Sequence, residues 1–358
     1  MHSNINNKEK IFLINNFIQN TKNFWTEDKK YLDTKHLKII NKFEKKYKDN
    51  LNLYSKELIN WEEQSNLGSP LQITYRNLKH FGFIEFSKKI LSNLKHPKLT
   101  RYFNYHSFMD DIEIIKKNNG FKLLKSFPIH KKTDFKDLYF INKNLSSNNR
   151  WNRYVYIASQ IKKNKLLNKN HCNWLDIGSF YGGLQMILKT FNKNGNFFLL
   201  DFNHQLCRSY VYLKYLYPKA NHILPNKINK NLNLKKNSFY YVPVKKFNCL
   251  SKINFDLVTN FFSFGEMKKK SFEEYFNNKI VKNSKAIYLV NRFISSPYFE
   301  PTYDDKINVS DYERKNFKTI YFDTFPIHHY KCVKRKLFGR LAYRPISSGY
   351  FEKIMVKK

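Results

Sequence analysis

Residues 174–183 read Trp174-Leu175-Asp176-Ile177-Gly178-Ser179-Phe180-Tyr181-Gly182-Gly183, a short apolar run that opens into a glycine-rich turn. Leu184 to Phe191 follows with apolar residues at helical spacing, so the stretch reads as strand, tight turn and helix start. Glycine lets the chain turn sharply and lets a ligand approach the main chain closely. A dinucleotide-binding turn, G-x-G-x-x-G, would place its first glycine where this chain has Asp176. A carboxylate is awkward beneath a pyrophosphate, which wants amide donors and the positive end of a helix.

Asp176 instead suits a cofactor with no phosphate and a cationic end, such as the amino group of S-adenosylmethionine. The next elements agree. Phe197 to Leu200 is strand-like and ends in Asp201, 18 residues after Gly183. A carboxylate at the end of a second strand can accept hydrogen bonds from both ribose hydroxyls. Phe202 and Asn203 then fall where an adenosine edge would pass. Leu206 to Leu216 reads as a helix, and Phe239 to Val244, Phe255 to Phe261 and Ala286 to Val290 read as further strands. Strands alternating with helical stretches imply βαβ units and a mostly parallel, Rossmann-like sheet. Its ligands bind at the carboxyl ends of the strands, so the end of Phe255–Phe261 would face the acceptor, with Asn260, Ser263 and Glu266 in reach. A first-turn carboxylate complementing a helix dipole accounts for Glu266 equally well.

The arrangement D-x-G-x-x-x-G resembles class I S-adenosylmethionine-dependent methyltransferases. Within them, WLDIGSFYGGL (Trp174 to Leu184), the Asp201 strand end and SFGEM (Ser263 to Met267) are similar to a family described as sugar O-methyltransferases of bacterial surface-polysaccharide gene sets. The likeness covers Trp151 to Arg292 well and the N-terminal half only loosely; Ser179-Phe180 departs from the more glycine-rich turn of the family. It implies S-adenosylmethionine as cofactor, held by Asp176, Gly178, Ser179, Tyr181, Gly182, Asp201, Phe202, Asn203 and Asn260. It also implies a sugar hydroxyl as acceptor, in a small molecule or glycan. A base within reach would help remove the proton of such a hydroxyl, for which Glu266 and His328 of the His328-His329 pair are the candidates, though the histidines read more readily as surface or core residues with no catalytic part. The loop Tyr298 to Asp305, YFEPTYDD, offers aromatics and carboxylates to a sugar, or forms a plain solvated loop. No metal-ligand spacing stands out.

The first 150 residues read as largely helical, for example over Leu37–Tyr47 and Phe86–Leu94, with a turn at Gly68-Ser69-Pro70. Asn142 to Arg150 is polar and without period, a linker, before Trp151 to Ile161 resumes helical spacing. The expected organisation is therefore a helical region, 1–150, for acceptor recognition, capping or oligomerisation, and an α/β domain, 151–358. A homo-oligomer is compatible with that division.

Composition narrows the class further. Hydrophobic residues at 42% and aromatics at 17% can build a core, and no run approaches the ~18 apolar residues of a membrane span. The N-terminal apolar run, Ile11 to Ile14, is too short for a signal peptide, which makes a cytoplasmic location the expectation. The cysteines, Cys172, Cys207, Cys249 and Cys332, lie more than thirty residues apart and read as free thiols rather than a zinc site. A net charge of +37 invites a nucleic-acid partner. Yet only ten of 65 basic residues are arginine, and the lysines are spread along the chain among Asn, Ile and Phe. An AT-rich coding sequence produces that mixture, so nucleic acid is not favoured. Three alternatives stay open: a methyltransferase acting on RNA or another polyanion, a Rossmann enzyme using NAD in sugar metabolism, and a degenerate domain kept as a binding module.

Overall fold

The computed structural model describes residues 6–26, 34–58, 108–126, 139–142, 145–167, 170–295, 305–327, 333–335, 341–343 and 349–358. The expected helix at Phe86–Leu94, the Gly68-Ser69-Pro70 turn, His328 and most of the Tyr298–Asp305 loop lie outside these residues. The chain divides into two compact units: residues 1–59, 157–325 and 347–358 form one, and residues 60–156 and 326–346 the other.

The first unit is built on an eight-stranded sheet. Its strands in chain order are β1 (Asn173–Ile177), β2 (Asn196–Asp201), β3 (Asn221–Ile223), β4 (Ser238–Pro243), β5 (Leu257–Phe261), β6 (Ala286–Arg292), β7 (Phe317–Thr324) and β8 (Tyr350–Lys357). They lie in the order β3-β4-β2-β1-β5-β6-β8-β7. The first six are parallel to their neighbours, while β8 inserts antiparallel between β6 and β7. The expected strands are all present, with ends moved by one or two residues. This is the Rossmann-like class I methyltransferase fold, and it departs from the dinucleotide fold, whose sixth strand closes the order 3-2-1-4-5-6 in sequence.

Central strands of a parallel sheet are buried on both faces, and period two sends alternate residues to opposite layers. Leu175, Ile177, Phe198, Leu200, Tyr240, Val242, Val258, Ile287 and Leu289 join one core, with Phe272 and Phe276 of helix Lys269–Phe276 and Ile280 and Val281 of helix Lys279–Lys282. Trp174, Asp176, Phe197, Leu199, Tyr241 and Thr259 belong to the other face. That face is covered by helices from the N-terminal segment and from the middle of the chain. They are α1 (Asn7–Gln19), and, after α2 (Thr34–Tyr47) and α3 (Leu51–Leu58), α4 (Gly183–Lys189) and α5 (Asn203–Leu216).

The boundary expected at residue 150 is thus not the one along which contacts divide the chain. The first 59 residues belong with the sheet. Phe17 is fully buried, and its ring meets Tyr210 of α5 at 5.6 Å and Tyr241 of β4 at 6.1 Å. Asn16 Nδ2 donates to Tyr210 Oη at 2.8 Å, and Asn226 donates to Asn20 through both its backbone and side-chain nitrogens. An amphipathic helix buries its apolar face against whatever sheet face is bare, however far away in sequence.

The second unit contains helical residues 108–117, helix Phe121–Ser126, and two antiparallel hairpins, Tyr139–Asn142 with Leu145–Ser147 and Val333–Arg335 with Leu341–Tyr343. The polar run Asn142–Arg150 is not a linker. It supplies the end of one hairpin and the Asn148 cap, whose Oδ1 accepts from Trp151 N at 2.8 Å, of helix Asn149–Lys163. Short polar side chains favour caps and tight turns as much as loops, so polarity alone misleads there.

Candidate cofactor site

Strand order reverses between β1 and β5, because β1 connects onward to β2 on one side while β5 lies on the other. Open α/β sheets bind ligands in the crevice beyond the strand ends at such a point. The loops after β1, β2 and β5 converge there, and they carry nearly all the residues singled out above.

The β1 turn is shaped by strained backbone. Gly178 has φ +78°, and a Cβ built on it would stand 2.3 Å from Ser263 Oγ; Gly182 has φ +90°, with Leu213 Cδ1 at 3.0 Å. A side chain at either glycine would therefore collide with the protein's own Ser263 or Leu213. Phe180, between them, is left-handed at φ +54°, and so is Phe262 after β5 at φ +70°. Left-handed aromatic residues cost on the order of 1–3 kcal/mol each and concentrate at ligand clamps and active sites. Phe180 is held there by its N–H on Asp201 Oδ2 at 2.8 Å, its carbonyl accepting from Ser209 Oγ at 2.5 Å, and the Arg208 guanidinium 5.0 Å over its ring.

Asp176 sits at the end of β1 and is 3% exposed. Its Oδ1 accepts from Thr259 Oγ1 at 2.6 Å and its Oδ2 from Gln185 Nε2 at 2.6 Å; Trp174 Nε1 donates in turn to Thr259 Oγ1 at 2.8 Å. Register makes this possible, since Asp176 pairs directly with Thr259 across β1 and β5. Burial pushes the Asp176 carboxyl up to about 7, against the pull of the Thr259 and Gln185 hydrogen bonds, and the Asp201 charge adds to the rise. Asp201 is also raised to about 7, first by burial, with the Phe202 and Phe180 amides and Arg208 opposing. Two carboxyls thus lie at neighbouring strand ends in a strongly basic chain, each keeping acceptor capacity beyond its present bonds.

The remaining predicted residues divide. Ser179 is 6% exposed and its Oγ is buried without a partner, as is Gln185 Oε1. Phe202 caps α5, donates to Asp201 Oδ1 at 2.8 Å and lies parallel to the His204 ring. Tyr181, 1% exposed, packs on Phe180 and Tyr212 inside the unit. Asn203 is wholly buried and donates to Phe24 O at 3.4 Å, joining the N-terminal segment to the end of β2. Asn260 is wholly buried too: Nδ2 donates to Ile177 O at 2.7 Å and to Ser263 Oγ at 2.5 Å, while Oδ1 accepts from Phe264 N and Asn291 Nδ2 at 3.0 Å each. The side chains of Tyr181, Asn203 and Asn260 are thus buried within the unit. Asn260 ties the β1 and β5 loops together.

The SFGEM stretch follows the same logic. Ser263 abuts Gly178, Phe264 is core, and Gly265 donates to Asn291 Oδ1 at 3.2 Å where a side chain would press on Arg292. Glu266 closes that 3-10 turn and is half-buried. The sequence reading missed Gln185, Thr259, Ser209 and Asn291. Only Thr259 carried a signal, as the residue in β5 that faces the same side as Asp176. The others depend on packing between elements. Among the described residues no group of three or more His, Cys, Asp or Glu is placed to hold a metal, and no helix is long and apolar enough to cross a membrane.

No protein-family profile matches the sequence, and no curated protein matches it. Solved structures similar to it include magnesium protoporphyrin IX methyltransferase from Synechocystis PCC 6803 with bound SAH, at 9% identity and TM-score 0.35 over 59% of this chain and 84% of that one. Another is precorrin-6y C5,15-methyltransferase from Geobacter metallireducens GS-15, at 15% identity and TM-score 0.34 over 56% and 87%. A third is mitomycin 7-O-methyltransferase, at 10% and 0.32 over 58% and 57%. Likeness at this level assigns neither activity nor substrate.

Proposed function

We propose that this chain is an S-adenosylmethionine-dependent O-methyltransferase whose acceptor is a sugar hydroxyl. The observation that carries the cofactor half is the pair of carboxyls, Asp176 buried and Asp201 half-buried, at the ends of β1 and β2 beside the switch point. A pyrophosphate would meet two negative groups there; an ammonium and a ribose meet acceptors. Ser179 Oγ and Gln185 Oε1, buried without partners, add two more polar atoms to the same turn. The antiparallel β8 between β6 and β7 also weighs against an NAD-binding sheet.

When bound, the cofactor supplies a methyl group on a sulfonium, an electrophile that needs no further activation. The protein's part is to bind and align. Asp176 holds the cationic end, with Thr259 and Gln185 fixing its carboxylate. Asp201 takes the ribose hydroxyls while keeping the Phe180 amide in place. Glu266, at the β5 end, would accept the proton that the acceptor hydroxyl must lose. Positioning of the two reacting atoms supplies most of the acceleration in such a displacement.

The sugar half rests on the likeness of Ser263–Met267 to sugar O-methyltransferases. Labelled S-adenosylmethionine incubated with a panel of nucleotide sugars, glycans and RNA tests it, with label expected in a sugar. Transfer only to RNA would remove the acceptor. Calorimetry with S-adenosylhomocysteine and NAD tests the cofactor, and heat with NAD alone would remove the whole reading.

A further inference from the structure

Arg208, Arg292 and Arg314 are the arginines of the first unit, and all three lie over an aromatic ring. Arg208, over Phe180, also donates to Gln205 Oε1 at 2.9 Å. Arg314, over Phe276, also donates to Asn277 Oδ1 at 2.8 Å. Arg292, the last residue of β6, has only the ring, Tyr350 at 5.2 Å: among the described residues no oxygen accepts from its guanidinium. Its Nε is buried without a partner, although the residue as a whole is half-buried. A buried donor left unbonded costs free energy, more so when it is charged. The guanidinium carries five donors in a planar fork that matches a carboxylate or a phosphate.

The surroundings of Arg292 belong to the carboxyl ends of β5 and β6. Its stem lies against Gly265, where a Cβ would stand 3.2 Å from Arg292 Cγ and 3.3 Å from Arg292 Cβ. The residue just before Glu266 is thus small where the arginine passes. On the other side Tyr350 pairs directly with Arg292 across β8 and β6. The Tyr350 ring in turn packs at 5.3 Å on Phe262, the left-handed residue that follows β5. Period two puts Arg292 on the sheet face of Tyr288, which pairs with Thr259, the partner of Asp176. Glu352, two residues along β8 from Tyr350, is engaged by Tyr288 Oη and forms no ion pair with Arg292.

On the function proposed above, which makes the ends of β5 and β6 the acceptor side, we infer that Arg292 binds an anionic group of the acceptor. The methylated sugar is then an acidic one, bearing a carboxylate or a phosphate. Arg292 acts on binding and selectivity and takes no part in removing the proton.

The test uses the full chain saturated with S-adenosylhomocysteine and three probes, glucuronate, glucose 1-phosphate and glucose, with binding read by saturation-transfer NMR. The wild type should bind at least one of the two anionic sugars about tenfold or more tightly than glucose, and which one it prefers separates carboxylate from phosphate. Arg292→Met keeps the stem and removes the fork; it should erase that preference while binding S-adenosylhomocysteine as the wild type does. Should this variant melt early, Arg292→Lys decides. It keeps stem and charge without the fork, and its anion affinity should fall about threefold or more. Lys282→Met, which removes an exposed charge elsewhere, should leave the preference intact. Glucose bound as tightly as the anions, no binding of either anion, unchanged anion affinity in both Arg292 variants, or an equal loss in Lys282→Met would overturn the proposal. No calorimetric heat with S-adenosylhomocysteine would remove the methyltransferase itself, whereas heat with it and no anion preference removes only the acidic acceptor.

Discussion

Replacing Asp176 by asparagine should stabilise the ligand-free protein at alkaline pH while weakening cofactor binding. Asparagine keeps the shape and removes the charge. Thr259 Oγ1 still has a carbonyl oxygen to donate to, and the Gln185 amide can turn over, so that its Oε1, unpartnered in the wild type, accepts from the new amide. The size of the gain follows from linkage. The folded pKa is about 7, above the ordinary carboxyl value of 3.8. A folded carboxyl with a raised pKa holds its proton after the unfolded chain has lost it, so stability falls as pH rises between the two values. From about pH 5 to about pH 8 that loss spans about two pKa units, a ceiling of about 3 kcal/mol. Polar neighbours and relaxation around a buried charge bring it to about 1–2 kcal/mol. Urea unfolding of both proteins near pH 5 and pH 8 measures it. The variant should match the wild type or fall slightly below it near pH 5, and exceed it by the stated amount near pH 8. S-adenosylhomocysteine affinity should fall at least tenfold at the higher pH. A difference in stability that does not change with pH would refute the claim that Asp176 carries a buried charge at a cost.

Other outcomes follow from the same contacts. Gly178→Ala should lower stability by about 2–4 kcal/mol, from left-handed strain and the Ser263 clash, and Ser263→Gly should restore part of it in thermal melts; a melting point within a degree of wild type would contradict this. Phe17→Ala should cost about 3–5 kcal/mol in urea unfolding, because the ring is fully buried between α5 and β4. A loss under about 1 kcal/mol would mean the N-terminal segment is not part of that core. Glu266→Gln should lower turnover at least tenfold with S-adenosylhomocysteine affinity unchanged, and equal turnover would remove Glu266 as the base. Asp201→Ala should weaken S-adenosylhomocysteine binding by calorimetry, and unchanged affinity would remove the ribose assignment.

The sequence by itself determined the order and kind of the main elements from Trp174 to Val290, without the short strand Asn221–Ile223, and the two carboxylates of the candidate site. Those signals are local: apolar runs of strand length, glycine at a turn and an acid at each strand end depend on neighbours within a few residues. Tertiary structure alone decided the rest. It brought Thr259 and Gln185 onto Asp176, turned Asn260 inward as a brace, and set Ser263 against Gly178. It also took the first 59 residues out of an expected separate domain and laid Phe17 against Tyr210 and Tyr241. The physical reason is common to all of these. Hydrogen-bond partners and packing faces are chosen by which side chains the sheet register and helix docking bring within a few ångströms, and that choice leaves no periodic mark on the sequence.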